Sequence, residues 1–308
     1  MRLNNGIITN EKKFSPVTVI IPAYNEESSI GATLSSLYKQ SILPEQIIVV
    51  DDSSSDSTAE IARCFDGVTI VRTPKNTGSK GQALNYGLQH VNSEYTMTID
   101  ADITLEENAV KKMVELMENR PEVSATCTFV LPKTTKTIWD HTRFVEYIFS
   151  LSFYKSVQQM YDGILICSGC FTIYKTQDLK TLGGWPTLTV AEDMELTWLL
   201  YENGKHIAYN ADTFCFAGEP ENFRLLSKQL KRWNTGFFQV LKLKGNNVMK
   251  IPHVERICCP WISRHIYRHY FPCSYNLSCN FLSRPIEVYV LFGNGYYSTV
   301  HTFILVRC

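Results

Sequence analysis

The sequence predicts an α/β fold in which a mainly parallel central sheet is flanked by helices. Three observations carry that expectation. Four short runs rich in Val and Ile recur early in the chain, at Val17–Ile21, Ile47–Val50, Val68–Val71 and Tyr95–Ile99. Each is the length of a buried strand and too short for a core helix. Helical stretches fall between them, at intervals of roughly 25–30 residues, the spacing of right-handed strand–helix–strand crossovers that force parallel pairing.

Each element has its own local signal. The stretch from Asn25 to Gln40 carries Ile30, Leu34 and Leu37 on one helical face, the spacing of an amphipathic helix. Ser57 to Phe65 and Lys80 to Val91 supply the next two helices. Thr104 followed by Glu107 reads as a capping box that opens a helix ending before Pro121. Further along, Ala191-Glu192-Asp193 opens a helix from Met194 to Tyr201. With 308 residues, 44% of them hydrophobic, the chain can hold one large domain, or a domain with an appendage.

The composition divides the chain into residues 1–16 as a leader, 17–250 as the folded domain and 251–308 as an atypical tail. The leader has no apolar run and does not read as a secretory signal. The tail holds no Lys and no Asp, yet five of the ten cysteines and four of the seven histidines. Thirty basic and thirty acidic residues balance over the whole chain, which excludes a global pull toward nucleic acid. The cysteines show no disulfide framework and read as free thiols in a reducing compartment. Cys167 and Cys170 form a CxxC, but a zinc site needs a second pair at regular spacing. Cys258, Cys259, Cys273 and Cys279 do not supply one.

In an open parallel sheet, ligands bind beyond the carboxyl ends of the strands. Three of the four predicted strands end in polar clusters: Pro22-Ala23-Tyr24-Asn25-Glu26-Glu27, Asp51-Asp52-Ser53-Ser54-Ser55-Asp56-Ser57 and Asp100-Ala101-Asp102. Asn25 and Ser57 read equally well as helix N-caps. Asp100 and Asp102, two apart at a strand end, can point the same way. Crowded carboxylates call for a cation, and Mg²⁺ or Mn²⁺ takes oxygen ligands from one or two carboxylates and from substrate phosphates. Lys80 follows Gly78 and starts a helix, where backbone donors and an ammonium suit a phosphate. The glycine spacing is not that of a Walker A loop.

Glu192 and Asp193 in a first helical turn can be plain dipole complements, and the same dipole keeps Asp193 ionised, as a general base requires. Gln229, Arg232, Trp233, Gly236 and Gln239 share one helical face. That face carries an amide, a guanidinium and an indole where a core stripe would be aliphatic. The guanidinium fork suits a diphosphate, and the indole offers a flat face to a sugar. From Arg224 to Lys250 there are basic residues and no acidic one, which suits a membrane surface. The aromatic run from Phe144 to Tyr154 reads as a core or membrane-proximal helix.

Taken together, these clusters resemble glycosyltransferase family 2 in its processive, membrane-associated branch, which includes cellulose, chitin and hyaluronan synthases and bacterial poly-N-acetylglucosamine synthases. The resemblance runs from about Val17 to Lys244. It rests on PAYNEE at Pro22–Glu27, DDSSSDST at Asp51–Thr58, KGQALNYGL at Lys80–Leu88, DAD at Asp100–Asp102, SGCF at Ser168–Phe171, GGW at Gly183–Trp185, AED at Ala191–Asp193 and QLKRW at Gln229–Trp233. It implies the GT-A type nucleotide-diphospho-sugar transferase fold and an inverting transfer of a sugar from a UDP-sugar to a saccharide or lipid-linked acceptor. By the resemblance, Pro22, Tyr24 and Glu26 lie by the nucleotide, and Asp52 contacts its base. Lys80 and Asp100 approach the ribose and diphosphate, and Asp102 holds Mg²⁺ or Mn²⁺. Asp193 is the base, and Gln229, Arg232 and Trp233 bind the diphosphate and the acceptor sugar. The expected location is the cytoplasmic face of the cell membrane.

Three departures stand out. Ala191 replaces a residue that is usually Thr. Only 16 residues precede the first strand, where many members have a membrane helix. The stretch Ile286–Val306 is interrupted by Glu287, Gly293-Asn294-Gly295 and His301, so it does not read as a span of about 20 apolar residues. A remnant or frame-shifted membrane region, loosely packed, would give such a tail. The competing functions are an inactive nucleotide-sugar-binding remnant and a nucleotidyltransferase. The second usually has a glycine- and arginine-rich loop after its first strand, where this chain has PAYNEE.

Overall fold

A computed structural model describes residues 14–160, 163–220 and 222–248. The expectations for residues 1–13 and for the tail after residue 250 lie outside the described residues. The first elements follow the predicted order: β1 (Val17–Ala23), α1 (Ile30–Tyr38), β2 (Gln46–Asp51), α2 (Thr58–Arg63), β3 (Val68–Arg72), α3 (Lys80–Leu88) and β4 (Tyr95–Ile99). Then come β5 (Thr104–Leu105), α4 (Ala109–Asn119), β6 (Val123–Pro132) and α5 (Ile138–Tyr147). A π-helical segment, Ile148–Lys155, runs into α6 (Ser156–Met160). The order closes with β7 (Phe171–Lys175), α7 (Thr176–Thr181), α8 (Glu192–Glu202), β8 (His206–Ala217) and α9 (Phe223–Val248).

Among the described residues, one eight-stranded sheet has the order β3-β2-β1-β4-β7-β6-β8-β5. The first four strands pair in parallel. β7 is antiparallel to both β4 and β6, and β8 lies parallel to β6. β5 is antiparallel to β8, so β7 and β5 run against the other strands. The sheet is mainly parallel, as expected, but its second half is mixed. β6, β7 and β8 lack the regular crossover spacing of the first hundred residues, and the sequence reading did not find them.

Two local expectations are corrected. The Thr104–Glu107 capping box does not form. Thr104 belongs to β5, paired with Phe216, and α4 opens only at Ala109, after Asn108. Glu106, beside the proposed box, accepts instead from the Phe214 amide at 3.0 Å. The sheet edge has taken the backbone that the box would have used. Asn25 is not an N-cap either. It adopts φ +56°, the left-handed region that Asn tolerates, and its Oδ1 accepts from the Ser55 amide at 2.9 Å. It ties the loop after β1 to the loop after β2, and α1 starts five residues later. Ser57 does precede α2, but its side chain makes no capping hydrogen bond.

The core lies on both faces of the sheet, with Ile20, Ile48, Met97, Ile99 and Phe171 all fully buried. α3 rests directly on it because Gly87 has no side chain. A Cβ there would stand 2.7 Å from Ile20 Cγ2 and 2.8 Å from Val50 Cγ2. This close seat fixes the C-terminal end of α3 on the sheet. A Gly87→Val substitution is expected to lower stability by about 1–3 kcal/mol, the usual range for overpacking. Thermal denaturation checks this, and an unchanged melting temperature would mean that α3 does not pack this closely.

Candidate active site

The predicted clusters converge beyond the carboxyl ends of β1, β2 and β4. β1 and β2 end in register, with Ala23 opposite Asp51. β4 ends beside the loop that leads into β7, where the Asp100 amide donates to the Cys170 carbonyl at 3.0 Å. That loop carries Gly169, and the start of α8 closes over it.

Gly169 joins two of the predicted site residues. Its carbonyl accepts from Lys80 Nζ at 3.1 Å, and its amide donates to Asp193 Oδ2 at 3.0 Å. A Cβ at this position would lie 3.3 Å from Lys80 Nζ and 3.2 Å from Asp193 Cβ, so any larger residue would press on both side chains. The other Asp193 oxygen accepts from the Met194 amide at 2.8 Å, which holds the carboxylate at the N-terminus of α8. Lys80 also forms an ion pair with Asp100 and lies 3.8 Å from Glu192 Oε1. Burial opposes its charge, but Asp100 and Glu192 outweigh that and hold Lys80 above the usual lysine range. Lys80 is therefore held by protein carboxylates, where the sequence reading had it open to a phosphate.

Asp102 lies beside this pair. Burial, with Asp100 and Glu26 adding their charge, pushes its carboxyl up to about 6. A cluster of this kind is stabilised by a cation, and carboxylate oxygens are the right donors for Mg²⁺ or Mn²⁺. Among the described residues no three His, Cys, Asp or Glu side chains form a ready ligand set. The residues present fit an ion that draws part of its shell from a bound diphosphate.

The residues expected on the nucleotide side follow β1 and β2. Pro22 is half-buried at the end of β1, Tyr24 is half-exposed, and Glu26 accepts from the Ser29 hydroxyl at 2.6 Å. Asp52 is buried, and its oxygens accept from the Thr73 hydroxyl at 2.8 Å, the Thr77 amide at 2.9 Å and the Thr77 hydroxyl at 2.8 Å. It organises its own loop. Beside it opens a 660 Å³ groove lined by Asn76, Thr77, Gln82 and Tyr86, among others.

α9 brings the last group. Its shared face lies on the start of α8: Gln239 Oε1 accepts from the Val190 amide at 3.0 Å. A Cβ at Gly236 would meet Ala191 Cβ at 2.6 Å. The small residue at 191 is thus matched by the glycine opposite. Gln229 keeps a buried Oε1 without a hydrogen-bond partner. Arg232 is exposed, and Trp233 is 38% exposed. The aromatic run of α5 and the π-helical segment does not form a core helix throughout, because Phe149 and Tyr154 are exposed while Leu151 is buried.

Several neighbours of the site carried no sequence signal. Lys155 is buried beneath the Gly169 loop and donates to the Ser168 hydroxyl at 2.6 Å. It lies 3.4 Å from Cys127 Sγ, whose thiol Cys167 and then Lys155 pull down to about 6. Arg143 and Glu219, both buried, pair at 3.0 Å. Lys155, Cys127, Arg143 and Glu219 belong to none of the motifs, and tertiary packing brings them together.

Comparison with known proteins bears on the family and the fold. The family described as Glycosyl transferase family 2 matches residues 18–183. The poly-beta-1,6-N-acetyl-D-glucosamine synthase of Staphylococcus epidermidis is 31% identical over 228 residues, 73% of this chain and 55% of that protein. The synthase of the same name from Staphylococcus aureus is 28% identical over 251 residues, 80% of this chain and 61% of that protein. The chain thus spans little more than half the length of these relatives. Among solved structures, mannosyltransferase PcManGT from Pyrobaculum calidifontis, in complex with GDP-Man and Mn²⁺, has a TM-score of 0.66 at 22% identity, covering 79% of this chain and 70% of that one. S. aureus TarS 1-349 in complex with UDP-GlcNAc has a TM-score of 0.59 at 20% identity, covering 82% and 72%. These two likenesses are of fold, and the fold is GT-A-like. With more than half its length matched by the family and a relative above 30% identity, the chain belongs to glycosyl transferase family 2.

Proposed function

We propose that the protein is an inverting, polysaccharide-synthase-like glycosyltransferase. It transfers a glucose- or N-acetylglucosamine-type sugar from a UDP-sugar to a saccharide or lipid-linked acceptor. The observation that carries this reading is the Gly169 bridge, which sets the carboxylate of Asp193 beside the Lys80–Asp100 pair. The bridge brings a carboxylate that can act as base and a charged centre into one cleft, and holding donor and acceptor there in line would supply much of what a single displacement needs. The names of the family relatives support the sugar class.

In this reading Asp193, fixed by two backbone amides, takes the proton of the acceptor hydroxyl as the hydroxyl attacks the anomeric carbon. Pro22, Tyr24, Glu26 and Asp52 form the nucleotide side. Arg232 meets charge that develops on the leaving diphosphate. Gln229 offers its free Oε1 to a hydroxyl, and Trp233 offers its exposed face to the acceptor sugar. Asp102, with Asp100, would hold Mg²⁺ or Mn²⁺, which supplies Lewis-acid stabilisation of the diphosphate. The proposed location is the cytoplasmic face of the cell membrane. No helix among the described residues is long and apolar enough to cross a membrane. α9, however, is basic and exposes Phe223 and Phe238, as an interfacial helix would.

UDP affinity measured by calorimetry is expected to drop sharply when EDTA removes the divalent ion. It should also fall as pH is lowered through about 6, because Asp102 then takes a proton and ceases to be a ligand. Equal affinity with and without EDTA would reject the metal role. Asp193→Asn is expected to cut sugar transfer by ~10²–10⁴-fold while UDP binding stays nearly intact. Wild-type turnover in this variant would reject Asp193 as the base.

A further inference from the structure

Arg143 is 1% exposed in the middle of α5. That helix is held firmly at its start by a complete capping box: the Thr137 side chain accepts from the Asp140 amide and Asp140 reaches back to the cap. A buried guanidinium must find partners, and here it has several. Its Nε donates to Glu219 Oε2 at 3.0 Å and its Nη2 to the Tyr147 hydroxyl at 2.6 Å. Its Cζ lies 4.5 Å from the centroid of the Tyr147 ring and 4.9 Å from that of Trp233. One cation therefore connects three elements: α5, the Gly218–Glu219 turn after β8, and α9. A second α5–α9 contact, Trp139 against Phe223 at 5.6 Å between ring centroids, runs alongside.

The consequence falls on Trp233. One face of its indole is held by the guanidinium, and 38% of the residue remains open. An exposed indole on a long helix has two side-chain torsions to settle. Arg143 settles them from behind, because a cation over an indole face is attractive and directional, and the Glu219 pair keeps that cation from following the ring. Resting on the reading of Trp233 as the acceptor platform, we infer that Arg143 is a positioning residue that fixes the Trp233 indole, and so sets how well the acceptor sugar is engaged.

Arg143→Lys keeps the charge that Glu219 requires and loses the planar stack, so it is the variant of choice. With UDP-N-acetylglucosamine as donor and a short β-1,6-linked N-acetylglucosamine oligosaccharide as acceptor probe, the acceptor KM should rise about 5- to 30-fold, the range that loss of a desolvated cation–π contact corresponds to. The affinity for UDP should stay within about twofold of wild type. In a Trp233→Leu background the same change should add nothing further, because Arg143 acts through the ring. A full, additive effect without Trp233, or an unchanged acceptor KM in Arg143→Lys, overturns the inference, and so does a parallel loss of UDP affinity. A second readout needs no turnover. The emission of Trp233, taken as wild type minus Trp233→Leu, should shift in Arg143→Lys. If the wild type transfers no sugar but this shift occurs, the functional reading fails while the positioning contact stands. An unshifted emission sinks the contact itself.

Discussion

The Lys80 ammonium is the charge on which the site depends. It stands between Asp100 and Glu192 and donates to the Gly169 carbonyl, at the point where the ends of β4, α3, α8 and the β7 loop meet. Carboxylates gathered this tightly would repel or protonate. One lysine offsets two of them and leaves Asp102 pushed up to about 6. That remaining imbalance is what the proposed divalent ion would offset. α3, whose first residue is Lys80, sits directly on Ile20 and Val50 at its other end because Gly87 has no side chain.

Close approaches at glycine recur where elements must meet around the site. Gly169 lets Lys80 and Asp193 share a loop, and Gly236 lets α9 press onto Ala191 at the start of α8. The Gly236 contact joins the QLKRW helix to the helix that bears Asp193. Ala191 is small where Gly236 is absent of bulk, so the two helices keep contact with little side chain between them. Arg143 adds a polar fastening about one turn earlier in α9, through Trp233.

Much of this was legible in the sequence because the first half of the fold is local. Val17–Ile21, Ile47–Val50, Val68–Val71 and Tyr95–Ile99 recur with crossover spacing, and the acidic clusters stand just after three of them. The helical face of Gln229, Gly236 and Gln239 also followed from spacing alone. What was hidden is non-local. Thr104 has the pattern of a helix cap but is recruited to an edge strand by Phe216. Asn25 looks like a cap but spans to Ser55 in a left-handed conformation. Lys80 reads as a free phosphate ligand until Asp100, distant in sequence, closes on it. Arg143 and Lys155 carry no motif, and their partners Glu219, Ser168 and Cys127 are linked to them by no periodicity.

The central claim is that Asp193 and the Lys80–Asp100 centre lie on opposite sides of one reacting carbon and act in a single displacement. The stereochemistry of the first-formed linkage tests this most directly. Proton NMR of the product formed from an α-linked UDP-sugar, followed from the earliest turnover, should show a β-configured anomeric proton. An α-configured product would require two displacements or a front-face attack, and would contradict the account.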